Sequence, residues 1–186
     1  MRRTTLLLAA LLTTLSGAAV IGTAQPAQAE IYGVDDANDS PHGSDLFAVD
    51  IDNGAKRLVV KTMHDNLRRD PSSGSGGAVY IDTDRDDAGP EFVFVGGYFD
   101  GTDYQLLHTE GFGPSRWGRV AKGHWSMRVN YREDTVTMRM NKRALSGADD
   151  VRVAVRVSGT RRDGTSHGLV DWLGKPRQLT PWISEG

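Results

Sequence analysis

The sequence predicts an all-β protein, an antiparallel sandwich of the jelly-roll kind, and three observations carry that expectation. Short apolar runs recur every 8–15 residues with turn residues between them. The longest runs near the C-terminus alternate strictly, with a period of two. Helical periodicity is nearly absent. Eight to ten such strands in one chain describe two packed sheets.

The first 29 residues stand apart from this pattern and read as a signal peptide. Arg2 and Arg3 precede an apolar run reaching Leu12, and Ala27-Gln28-Ala29 fits the A-x-A cleavage pattern, which starts the mature chain at Glu30. A membrane anchor is the weaker reading, because Thr13, Thr14, Ser16 and Gly17 interrupt the run and no charged stop-transfer segment follows. Thr5 stands two places after Arg3, where a twin-arginine signal wants an apolar residue, and this favours the general secretory route. The expectation is a secreted, extracellular protein with no membrane association after cleavage.

Cleavage leaves 157 of 186 residues, one domain of ordinary size. Such a chain buries roughly 70% of its unfolded surface. There is no cysteine, so an exported chain must rely on packing, with or without a metal. That absence also excludes thiol catalysis, thiolate zinc and a lipid-anchored lipoprotein. All 24 acidic residues lie in the mature part against 20 Lys and Arg, and no basic run suggests nucleic acid. A monomer is expected.

Residues 30–45 read as an acidic lead-in, and 46–186 as the sandwich with a C-terminal strap. In DDANDSPHGSD (35–45), Asp35, Asp36, Asp39 and Asp45 are either solvated or ligands of a site of their own or of one further on. LFAVDID (46–52) and RLVVKTMH (57–64) are strands joined by an NGAK hairpin signal. GAVYID (77–82), EFVFVGGYF (91–99) and YQLLHT (104–109) follow. In WSMRVNY (125–131) and TVTMRMN (135–141), Met127, Val129 and Tyr131 share one face, as do Val136, Met138 and Met140. REDT joins these two strands. One helical turn fits Lys142 to Leu145, and Val151, Val153, Val155 and Val157 then line one face of VRVAVRVSG (151–159). RDGTS offers an Asp-Gly turn, and VDWLGKPRQLTPWI, with two tryptophans and two prolines, is the strap.

One stretch invites chemistry. YIDTDRDDAGPEFVFV (80–95) crowds Asp82, Asp84, Asp86, Asp87 and Glu91 into ten residues, with Arg85 the one cation. Alternate carboxylates on a curling loop turn inward, as a hard cation requires, and the expectation is calcium at these five side chains. The spacing is not that of the helix–loop–helix calcium motif, because Asp87 stands where that motif needs glycine and Val93 where it needs glutamate. The competing reading is a solvated hairpin tip that discourages edge-to-edge pairing.

Catalytic patterns are weaker. GTSHG (164–168) matches G-x-S-x-G at Ser166, but no histidine follows His167, and an all-β chain lacks the strand-to-helix elbow. The five histidines are scattered, with neither HxH nor HExxH. A secreted hydrolase using a carboxylate pair, or Ser166 with His167, stays as the alternative. A protein-binding or structural factor is a third reading. Among the aromatics, Trp117, Tyr98 and Tyr104 are the candidates for a ligand-binding platform, Trp117 and Tyr98 foremost because loop residues surround them.

LFAVDIDNGAKRLVVKTMH, GAVYIDTDRDDAGPEFVF and NKRALSGADDVRVAVRV together resemble secreted actinobacterial β-sandwich proteins. More distantly they resemble DOMON-like, family 9-type carbohydrate-binding modules. The matching pieces cover about half the mature chain. The resemblance implies a jelly-roll-like sandwich, sometimes calcium-bearing, that binds rather than cleaves. The expected function is therefore a non-catalytic binding module, stabilised by calcium, with a polysaccharide or other cell-envelope polymer as ligand.

Overall fold

The computed structural model describes residues 31–159 and 169–186. Eleven strands form two antiparallel sheets among these residues. β1 (Ile31–Asp35), β2 (Leu46–Gly54), β3 (Arg57–His64), β9 (Thr135–Asn141) and β8 (Trp125–Asn130) pair in that order. The second sheet runs β11 (Leu169–Trp172), β10 (Arg152–Gly159), β4 (Gly76–Asp82), β5 (Phe92–Gly97), β6 (Tyr104–Thr109) and β7 (Trp117–Val120). The architecture is the β-sandwich that the alternation predicts.

Alternation decides what lies between the sheets. Val136, Met138 and Met140 are buried on β9, and Val151, Val153, Val155 and Val157 are buried on and beside β10. They meet Val49, Ile51, Leu58 and Val60 from β2 and β3, and Phe92, Phe94 and Leu106 from β5 and β6. β8 lies at a sheet edge, so Met127, Val129 and Tyr131 pack against this core only partly buried. The second sheet is covered on its outer face as well. Ala78, Tyr80, Val93, Leu107 and Ala154 lie there beneath Phe112, Trp117, Trp172 and Leu179.

Three strands depart from the sequence expectation. The lead-in supplies β1, whose Ile31 to Asp35 pair with Asp52 to Ala48. β7 adds an exposed four-residue edge, and β11 takes in the first residues of the strap. The strap itself runs along β10 at the edge of the second sheet. Thr180 donates to the Val153 carbonyl at 2.8 Å, and Val151 and Ile183 exchange two backbone bonds at 3.0 and 2.8 Å.

Two local readings hold in detail. β2 and β3 turn through Ala55 and Lys56, within NGAK. Lys142–Leu145 forms a single 3-10 turn, capped where the Ala144 amide donates to the Asn141 side chain. No helix of the described residues is long and apolar enough to cross a membrane.

Candidate functional site

In the acidic turn between β4 and β5, Asp82, Asp84, Asp87 and Glu91 each accept from protein groups. Asp82 is fully buried, and its Oδ2 accepts from Arg152 Nε at 2.7 Å and lies 2.6 Å from the guanidinium's Nη2. Burial pushes the Asp82 carboxyl up, and Arg152 opposes it. Asp82 Oδ1 takes the Asp84 amide at 3.3 Å, Asp84 Oδ1 the Asp86 amide at 2.9 Å, and Asp87 Oδ1 the Ala88 amide at 2.7 Å. Glu91 Oε2 accepts from the Thr83 amide at 2.6 Å and the Thr83 hydroxyl at 3.0 Å. Arg85 turns away to Asp150 at 2.9 Å. No three of these five carboxylates bring oxygens within 4.8 Å of one another. Arg152 thus takes one oxygen of Asp82, and local backbone amides take one oxygen each of Asp82, Asp84 and Asp87.

Carboxylates converge elsewhere. Asp39 and Asp45, from the loop joining β1 to β2, meet Asp171 of β11, with one oxygen of each within 4.8 Å of the others. The loop is held from several sides. Asp45 Oδ1 accepts the Ser40 amide at 2.7 Å, the Asp45 amide donates to the His42 carbonyl at 2.9 Å, and the Asp45 carbonyl takes the Asp65 amide at 3.1 Å. Asp171 Oδ2 accepts the Leu46 amide at 2.9 Å, a bond that joins the two sheets. Asp45 is 1% exposed and Asp171 7%, while Asp39 is open to solvent.

Among the described residues the local charge has no cationic partner, and no ion pair reaches any of the three. Burial, with the negative charges of Asp36 and Asp39 adding to it, pushes the Asp171 carboxyl up to about 6. Burial likewise raises Asp45. Asp45 Oδ2 is buried with no hydrogen-bond partner, and Asp36 Oδ2 beside the group is orphaned in the same way. Sequence reasoning allowed Asp39 and Asp45 a ligand role but passed over Asp171. The available signal was an aspartate inside the apolar run GLVDWL, at a position whose strand neighbours do not explain a charge.

The three aromatic candidates are separated by the fold. Tyr98 is fully buried in the core and cannot be a platform, because the absence of a side chain at Gly77 makes room for its ring between the sheets. Burial pushes its phenol well above the usual range. Tyr104 is 37% exposed, stacks on Phe94 at 5.9 Å, and borders an open groove of about 270 Å³ with Arg69, Asp100 and Tyr131. Trp117 stands opposite Thr109 at the far end of β6, and packs on the outer face of the sheet. Five residues of strand, roughly 17 Å, and the thickness of the sheet therefore separate Tyr104 from Trp117.

Trp117 walls a wider cleft of about 690 Å³ with His108, Glu110, Ser115, Arg116 and Arg119. A register shift between β6 and β7 lies at this opening. Leu107 pairs with Val120 and Thr109 with Trp117, so β7 carries one residue more than β6 over the same span. An extra residue of this kind bends the strand that carries it. The Thr109 hydroxyl fixes the loop below by donating to the Gly111 carbonyl at 2.7 Å. Ser166 and His167 lie outside the described residues. No protein-family model matches the chain, and the search of curated proteins found no match.

Proposed function

We propose that this protein is an exported, non-catalytic binding module that holds a glycan or related cell-envelope polymer at the Trp117 cleft. The observation that carries this reading is the cleft itself. A half-buried indole forms one wall, and Glu110, Arg116, Arg119 and His108 supply polar groups around it. Sugars present apolar C–H faces ringed by hydroxyls. An aromatic face covers the first, and charged side chains at the margin hydrogen-bond the second. The Trp117 ring needs no ordering on binding, because Phe112 and Leu107 already belong to the cluster it packs in. Export rests on the N-terminal sequence, and the resemblance to carbohydrate-binding sandwiches points to the same ligand class.

The test is co-sedimentation of the purified chain with insoluble cellulose, chitin and cell-wall peptidoglycan. Binding to at least one polymer is expected, with Trp117→Ala weakening it tenfold or more while Tyr104→Ala leaves it within about twofold. Equal binding by the Trp117 variant, with its thermal transition intact, would remove the cleft from the reading.

A hydrolase reading has one observation in its favour, the close approach of Asp45 and Asp171. Both are almost wholly buried, and neither borders the Trp117 cleft or the Tyr104 groove. A carboxylate pair needs a substrate between its members. Release of reducing sugar from any of the same polymers would favour this second reading.

A further inference from the structure

We propose that Asp39, Asp45 and Asp171 form a binding site for a hard divalent cation of the calcium type, which clamps the loop after β1 onto β11. Two independent observations support it. The first is convergence: one oxygen from each of three carboxylates lies within 4.8 Å of the others. Two ligands of one calcium ion sit at most about 4.8 Å apart, twice the ordinary calcium–oxygen distance of about 2.4 Å. The second is an orphaned atom. Asp45 is 1% exposed, its Oδ1 is taken by the Ser40 amide, and its Oδ2 is buried with no donor. A buried carboxylate oxygen without a partner is costly, and so are three neighbouring carboxylates without a cation.

The donor set is all oxygen, which selects against zinc and copper and suits calcium, magnesium or manganese. Asp39 lies on the solvent side and gives the ion a way in, while Asp45 and Asp171 form the floor. The position also suits a structural role. Asp45 ends the loop that joins β1 to β2, and Asp171 stands on the opposite sheet, whose bond to the Leu46 amide already ties the two together. An ion held by both would fasten the N-terminal strand to the C-terminal hairpin strand. Three carboxylates, one of them exposed, fit the roughly 0.1–1 mM affinities of extracellular calcium modules.

The test is thermal unfolding of the purified full chain in chelator and in about 10 mM calcium, with calorimetric titration of calcium alone. A rise in Tm of roughly 5 °C and a stoichiometry near one are expected. Asp45→Asn keeps the oxygen that accepts the Ser40 amide but removes the charge, and it should abolish both the shift and the binding heat. The same substitution relieves repulsion, so its Tm in chelator should equal or exceed that of the parent. Asp39→Asn, at an exposed position with no fold to disturb, should weaken calcium at least tenfold. Asp84→Asn and Asp86→Asn should respond to calcium as the parent does. A Tm indifferent to calcium, magnesium and manganese would overturn the proposal and leave a shared proton as the balance of charge. A calcium response retained in Asp39→Asn and Asp45→Asn but lost in the Asp84 and Asp86 variants would overturn it in favour of the acidic turn. The readout involves no glycan, so failure here leaves the Trp117 cleft untouched, and the converse holds.

Discussion

Arg152 grips Asp82 from the neighbouring strand: two guanidinium nitrogens reach one carboxylate oxygen at 2.7 and 2.6 Å, and the carboxylate has no solvent exposure. The two residues are direct register partners of β10 and β4. The same guanidinium lies over the Trp182 ring, 4.7 Å from its centroid, with Arg85 over that ring at 4.5 Å. The first acid of the crowded turn is thus a structural anchor for the C-terminal strap.

Removing Arg152 should therefore be costly. Arg152→Ala strands a buried charge and is expected to destabilise by about 2–4 kcal/mol, the lower part of the range reflecting the partial exposure of the guanidinium. The double variant Arg152→Ala/Asp82→Asn should cost less than the sum of its parts. Urea unfolding of the four proteins measures the coupling, and strict additivity would show that the pair is not acting as one unit.

His64 gives the fold a pH dependence. It is buried, with its ring tilted 58° to that of Tyr98 at 5.3 Å, Nδ1 donating to the Ser44 carbonyl at 2.9 Å and Nε2 accepting from the Thr62 hydroxyl at 2.7 Å. Burial lowers it from 6.5 to about 4. Between those values the unfolded chain binds more protons than the folded one, so stability rises with pH there and is lost as pH falls from 6.5 toward 4. The contribution is at most about 3 kcal/mol. Asp171, raised to about 6 from 3.8, works in the opposite direction over its own window. The informative measurement is thus unfolding free energy against pH for the parent and His64→Asn, which keeps a donor but does not titrate. The variant should show a flatter slope between pH 4 and 6.5, and identical slopes would refute the assignment.

Gly77 is expected to tolerate nothing larger than hydrogen. A Cβ there would fall far inside contact distance of the Tyr98 phenol, whose ring is fully enclosed between the sheets and has nowhere to move. Gly77→Ala should cost more than about 2 kcal/mol by overpacking. Gly89, whose Cβ would meet nothing within 4 Å, is the contrasting case for crowding, although its φ of 121° makes any side chain there strained.

Asn53 organises the tail from the other sheet. Wholly buried on β2, it donates through Nδ2 to the Asp149 and Ile183 carbonyls, both at 2.8 Å, and accepts from Lys142 Nζ at 2.7 Å. Lys142 also donates to the Ala148 carbonyl at 2.7 Å and pairs with Glu185 at 3.3 Å. Asn53→Ala leaves an ammonium and two carbonyls short of a partner. A loss of roughly 2–3 kcal/mol is expected, with faster hydrogen exchange of the Ile183 amide.

The sequence by itself determined the sandwich. Met138 and Met140, or Val153 and Val155, read as core because a period of two admits one buried face, and no distant contact can reverse that assignment without losing the whole stripe. β7 and β11 escaped notice because four residues are too few for alternation to show, and β1 because an acidic neighbourhood hides its pairing with β2. Sites obeyed a different logic. Spacing suggested that Asp82, Asp84 and Asp86 turn toward one centre, but spacing does not show that Arg152 stands opposite Asp82 or that the Asp84 and Asp86 amides each take an oxygen of the preceding aspartate. Nor does it show that Asp45 and Asp171, 126 positions apart, share a corner. Tertiary structure decided these matters, because a carboxylate's partner is set by which strand ends the fold brings within a few ångströms, and local sequence encodes strand faces but not strand neighbours.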